Sequence, residues 1–222
     1  LVTFSILIVT LISKFTFGGW VTVVITSFVI LICLLVKKHY HFVFKKLHDM
    51  DLLMTSTPPK TPVALTPLQP NEATAVVMVG EHRGIGLHNL LWILRTFPNH
   101  FKNFIFVSVG IVDVESFSAK KELTTMQENT NEMLDYFVNY CQQQGVAAKG
   151  FAAYGTDPTE KLTRLSKKII KEFPHSLFFA SKLIFSKDNW ITRLLHNETA
   201  VMLQRRLHLL GVQLVILPMK ID

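Results

Sequence analysis

The chain divides by its pattern of apolar and polar positions. Residues 20–36 form an uncharged apolar run of 17 residues. A helix crosses a bilayer with about 20 such residues and from about 17 upward, so Gly18 and Gly19 help complete a span. Residues 1–12 are apolar too, but too few to cross alone. They predict the second half of a helix that begins upstream. The join at 13–20 is short, so the pair reads as an antiparallel transmembrane hairpin with its first helix truncated. Trp20 is placed as an interfacial anchor. The chain begins with Leu, and we read it as the C-terminal part of a longer protein.

A different rhythm begins near Ala73. Residues 74–80 (TAVVMVG) form a short, wholly apolar run, the mark of a parallel strand buried on both faces. Leu87, Leu90, Leu91 and Leu94 follow at helical spacing and stop before Pro98. The second strand is 104–110. Leu123, Met126, Met133, Leu134, Phe137 and Cys141 mark a long helix that Gly145 ends. A weaker third strand lies at 147–155. Asp157, Pro158 and Glu160 supply an N-cap, a first-turn proline and a capping-box glutamate for the next helix. That helix carries Leu162, Leu165, Ile169 and Phe173 and stops at Pro174. The fourth strand is 176–181, and Ala200, Leu203, Leu207 and Leu210 line a last helix closed by Gly211. The fifth strand is 212–218. The order βαβαβαβαβ predicts an α/β fold, a doubly wound five-stranded parallel sheet with helices on both faces.

Between these parts lie a basic flank and a linker. KKHYHFVFKKLHD follows the apolar run at once, with Lys37, Lys38, Lys45 and Lys46, whereas the opposite flank has only Lys14. The positive-inside rule then makes the side after Val36 cytoplasmic. The same segment interleaves Tyr40, Phe42, Val43 and Phe44, a pattern also suited to an amphipathic helix on an anionic leaflet. Residues 52–72 hold five prolines and read as a semi-rigid linker. The organisation is thus terminal transmembrane helices at 1–36, juxtamembrane segment and linker at 37–72, and a cytosolic α/β domain at 73–222.

Composition narrows the classes. Residues 1–36 hold 25 hydrophobics and one charge, and the rest of the chain holds 38 charges. The domain carries 17 Lys+Arg against 13 Asp+Glu, so its +4 does not describe a nucleic-acid surface. Two cysteines, Cys33 and Cys141, cannot build a disulfide framework and suit reduced thiols.

Candidate chemistry gathers where doubly wound sheets bind ligands, beyond the carboxyl ends of the strands. Gly80, His82, Arg83, Gly84 and Gly86 follow the first strand. Glycines there allow close approach of a ligand, and Arg83 with the following helix start suits an anion. This loop is neither GxGxxG nor a P-loop. Ser108 lies at the end of the second strand. Ser181 and Lys182, then Asn197 and Thr199, follow the fourth, where Asn197 and Thr199 serve as helix caps or receive a phosphate. Among these, Gly80, His82, Arg83, Gly84, Ser108, Ser181, Lys182, Asn197 and Thr199 are the candidate nucleotide contacts. No GxSxG, HExxH or CxxC occurs, and the histidines have no metal-pair spacing. Asp113 and Glu115 read as solvated loop carboxylates. No catalytic or metal site is expected, and an enzyme is not the favoured class.

Lys14-Phe-Thr-Phe-Gly-Gly-Trp20, the apolar helix and Lys-Lys-His-Tyr40 resemble the last transmembrane hairpin of permeases of the amino acid–polyamine–organocation superfamily. The potassium-importer-like branch, with a cytosolic C-terminal domain similar to universal stress proteins, is nearest. Residues 197–206 (NETAVMLQRR) and 211–218 (GVQLVILP) look like the end of that domain. The resemblance implies a homodimeric, multi-pass plasma-membrane transporter, a proton-coupled potassium or other cation importer. Its cytosolic domain would regulate transport by sensing an adenine nucleotide or cyclic di-AMP. ATP-binding universal stress proteins carry Gly-x-x-Gly, nine residues, then Gly-Ser/Thr after the fourth strand, whereas residues 180–200 here hold no glycine. Gly80-Glu81 also stands where those proteins end the first strand in Asp. The rival readings are an amino-acid permease with the same tail, a structural dimerisation domain, and a membrane-tethered nucleotide-handling enzyme.

Overall fold

In a computed structural model of the chain, described residues are Thr3, Ser5, Ile6, Val9, Ser13, 19–54, 66–80, 82–111, 119–185 and 199–221. The first helix of the expected hairpin falls largely outside them, as do the join at 14–18, Asp113, Glu115 and Asn197. Two compact units are present, 1–46 and 47–222.

Helix α1 (Gly19–Met54) is 36 residues long. At 1.5 Å per residue it extends about 54 Å, well beyond a hydrocarbon core of about 30 Å. Its stretch Gly19–Lys45 is long and apolar enough to cross a membrane, with mean hydropathy 2.7 in its apolar window. Trp20, Val24, Phe28, Leu31 and Leu35 are all exposed. The basic flank continues this helix without a break. At about 100° per residue, Lys37, Lys38, His41, Lys45 and His48 fall within roughly 100° of one another on the helix.

The α/β unit holds β1 (Thr74–Met78), α2 (Arg83–Thr96), β2 (Asn103–Ile111), α3 (Ala119–Gln143) and β3 (Ala147–Gly155), then α4 (Pro158–Glu172), β4 (Ser176–Phe185), α5 (Thr199–His208) and β5 (Leu214–Ile221). The sheet order is β3-β2-β1-β4-β5, with every pairing parallel. The doubly wound five-stranded fold expected from the apolar runs is the fold observed.

Alternation along the strands sorts side chains into two cores. Val77, Phe104, Phe106 and Phe179 pack under Leu87, Leu90 and Ile93 of α2 and Met133, Leu134 and Phe137 of α3. Val76, Ile105, Val107 and Phe178 pack under Leu162 and Ile169 of α4 and Leu203 and Leu207 of α5. Local chemistry agrees with this placement. Asp157 caps α4 by accepting from the amides of Thr159 (2.8 Å) and Glu160 (3.0 Å). Glu160 itself turns along the helix to Arg164 (3.1 Å) rather than closing a capping box. Gly145 and Gly211 end α3 and α5 with positive φ, +72° and +74°.

Two features differ from the sequence pattern. The buried stripe of α2 runs through Gly86, Leu87, Asn89, Leu90 and Ile93, while Leu91 is exposed. Gly86 sets this rotation. A Cβ there would lie 2.5 Å from Phe137 Cζ and 3.0 Å from Val79. The glycine thus serves helix packing, not a ligand. The second feature is the end of the linker, which is bonded to the sheet. Asn103, fully buried, accepts from the Gln69 amide (2.8 Å) and donates to the Gln69 carbonyl (2.7 Å) and Thr74 Oγ1 (2.9 Å). Gln142 Oε1 accepts from the Thr66 amide (2.8 Å).

Gly86→Ala should push Phe137 out of its stack on Phe106, whose ring lies 5.1 Å away. The expected loss is about 1–3 kcal/mol in urea unfolding, with the denaturant slope unchanged. Asn103→Ala should cost about 1–3 kcal/mol, because three hydrogen bonds go and the Gln69 amide loses its partner, while the Gln69 carbonyl keeps the Glu72 amide. Amide exchange at Gln69 should quicken in parallel.

Candidate functional site

Unequal strand lengths shape the carboxyl edge of the sheet. β1 pairs with β2 only as far as Met78–Val107 and with β4 only as far as Val77–Phe179. Beyond it, β2 and β3 stay paired to Ile111–Gly155, and β4 and β5 to Phe185–Ile221. The central strand thus ends in a notch between two longer ribbons. The chain order reverses here, since β2 lies on one side of β1 and β4 on the other. Such a switch point is where α/β sheets bind ligands.

Register places the side chains around the notch. The Val79 amide still donates to the Val107 carbonyl (2.9 Å), so Val79 continues the ladder by one step. Ser108 follows the partner of Met78, and Ser181 lies two residues past the partner of Val77. Ser108, Val79 and Ser181 are therefore level, on the face covered by α2. The serines stand about 9–10 Å apart, two strand spacings. Gly80, exposed at the mouth, has open space where a Cβ would stand.

The start of α2 closes the base of the notch. Its N-cap is His82, at φ −91° and ψ 108°, with no side-chain cap hydrogen bond and no acidic residue in the first turn. The start of α4 contrasts with it, being filled by the Asp157 carboxylate. The positive end of a helix favours an anion, and in α2 no acidic side chain within the first turn opposes one. Gly84 is buried in this first turn.

The candidate residues separate into groups. Gly80, His82 and Gly84 follow β1 in the chain, while Ser108, which is buried, and Ser181 stand level with Val79 on the two neighbouring strands. Arg83 leans away onto α3, with Nη2 3.9 Å from Glu132 Oε2 and its guanidinium 5.4 Å from the centre of the Tyr136 ring. Ser181 and Lys182 lie within β4, not in a loop after it, because β4 runs on to Phe185. Strand alternation then puts exposed Lys182 on the opposite face from Ser181. Thr199 is the first residue of α5. Asn197 lies outside the described residues.

Sequence reasoning passed over Asn89. It is fully buried on α2, and its Nδ2 donates to Ser181 Oγ at 2.5 Å. Its Oδ1 is buried without a hydrogen-bond partner among the described residues. The signal was a polar residue three after Gly86 and four before Ile93, on the buried stripe. Among the described residues no cluster of His, Cys, Asp or Glu could hold a metal ion.

Burial also tunes two groups beside the α2–α3 layer. It pushes the Cys141 thiol far above its ordinary value of 9.0. It raises the Tyr136 hydroxyl as well, with Tyr140 adding to the rise and Arg83 opposing it. A raised thiol leaves the native protein holding a proton that the unfolded chain loses above about pH 9, so stability falls as pH rises. Cys141→Ala should flatten that alkaline decline by up to about 1.4 kcal/mol per pH unit, read from urea unfolding between about pH 9 and pH 10.5.

No family model matches the chain, and no curated protein matches it. Among solved structures it is similar to a universal stress protein family protein from Arabidopsis thaliana, crystallised with AMP bound. Identity is 12%, over 65% of this chain and 91% of that one, at a TM-score of 0.42.

Proposed function

We propose that the chain is the C-terminal part of a secondary transporter whose α/β domain is a cytoplasmic regulatory unit that takes an anionic nucleotide in the notch. The observation that carries the ligand reading is the notch at the switch point. The start of α2 follows it, and Ser108 and Ser181 stand level on either side of Val79. Adenine nucleotides and cyclic di-AMP present both the anionic phosphate for the helix start and polar edges for the serines. The transporter reading rests on the resemblance of 14–40 to the last hairpin of amino acid–polyamine–organocation permeases, and on α1 with its basic flank. Proton-coupled potassium import is the specific activity we propose for the whole protein, with the cytosolic domain pairing as a homodimer. The domain regulates and does not catalyse.

Calorimetric titration of residues 66–222 with AMP, ATP and cyclic di-AMP tests the ligand. At least one should bind, without turnover. Gly80→Val, which fills open space without meeting the fold, should lower affinity about tenfold or more, or 1.4 kcal/mol, at unchanged thermal stability. Silence with all three nucleotides, or full affinity in the valine variant, would sink the reading.

A further inference from the structure

The charge of the domain is not spread evenly over its two helical layers. On one face of the sheet α4 carries Lys161, Arg164, Lys167, Lys168 and Lys171 against Glu160 and Glu172, and α5 adds Arg205 and Arg206 with no acid. Glu160 is tied to Arg164 and Glu172 to Lys149, a basic residue of β3. On the other face, α2 has Arg83 and Arg95, while α3 sets Lys120 and Lys121 against Glu122, Glu128, Glu132 and Asp135. The helices of the first layer sum to +5 and those of the second to zero, so the first holds the excess charge of the domain.

Within the basic layer α5 is unusual in what it exposes. Leu203 and Leu207 are buried in the core, and the opposite stripe exposes Val201, Met202, Arg205, Arg206 and Leu209. At about 100° per residue these five fall within roughly 140° of one another, in the order Val201, Arg205, Leu209, Met202, Arg206. Leu209 is 82% exposed. A charge-only surface would suit any polyanion. Apolar side chains interleaved with arginine suit one that also offers hydrocarbon, namely an anionic bilayer.

We infer that the outer face of α5, backed by the lysines of α4, is a docking surface for an anionic lipid leaflet. The occupant is a membrane because the same chain carries α1, long and apolar enough to cross one, upstream of the domain. The lysines Lys37 and Lys38 after its apolar run mark the side on which the domain emerges, and that is the side whose lipids are anionic. Docking would be reversible and salt-sensitive, with the valine, methionine and leucine entering the interface and the arginines pairing with phosphates. The inference rests on the membrane reading of α1 only for the identity of the surface.

The full chain, with Cys33→Ala and an environment-sensitive fluorophore on Leu209→Cys, is placed in nanodiscs of phosphatidylcholine alone or with 30% phosphatidylglycerol. Blue-shifted emission is expected in the anionic discs only, and its loss in 1 M salt, where screening reaches within about 3 Å. Arg205→Gln with Arg206→Gln should lower the docked-to-free ratio about 30-fold, from roughly 1 kcal/mol per basic residue. A label at exposed Glu128 on α3 should stay aqueous throughout. An unshifted Leu209 label, an equal shift in both lipids, or a shift that appears only with added single-stranded RNA would overturn the inference. A chain that fails to enter discs would instead overturn the membrane reading of α1. Cosedimentation with vesicles of the same lipids would then read the α5 surface directly.

Discussion

The domain depends on one constraint: its central strand is much shorter than its neighbours. β1 spans five residues, whereas β2 has nine and β4 ten. Being central, β1 is held on both sides by parallel ladders, and its residues Ala75, Val76 and Val77 are fully buried. That anchorage lets the flanking ribbons run past it and leave open space at Gly80. The same early ending turns the chain into α2 at Arg83, so the helix start lies at the base of the gap. A longer β1 would pair with the strand residues beyond Ser108 and Ser181 and fill the notch.

Much of this architecture was readable in the chain. Strands buried on both faces need uninterrupted apolar runs, and the runs at 74–80 and 104–110 could be little else. Asp157 before Pro158, Gly145 and Gly211 marked helix ends because their local chemistry decides the outcome without tertiary help. The site was less readable because its form depends on pairing. Ser181 and Lys182 are adjacent in sequence, and only the extension of β4 along β5 puts them on opposite faces. Arg83 had the right charge in the right loop, but Glu132 and Tyr136 on α3 draw it away. The stripe of α2 was misjudged because four leucines outweighed a glycine and an asparagine. Contact with Phe137, a residue far along the chain, turns the helix so that Leu91 faces outward.

The two ends and two faces of the domain carry different features. The carboxyl edge of the sheet holds the notch, and the opposite edge receives residues 66–69 through Asn103 and Gln142. The α2–α3 layer is electrically balanced, while the α4–α5 layer collects the basic excess. The notch, the tether contacts and the basic surface thus draw on different residues of one small domain.

The Asn103 contact also bears on mechanics. One amide side chain meets both the N–H and the C=O of Gln69, imitating a step of β-ladder between the tether and the second strand. The leash therefore does not end in a swivel at the first strand. Tension reaching Thr66 would be borne first by Gln142 of α3 and then by Asn103 within the sheet, and residues 66–69 would turn with the domain as a rigid handle. A shift of the α/β unit would then carry residues 66–69 with it as one body.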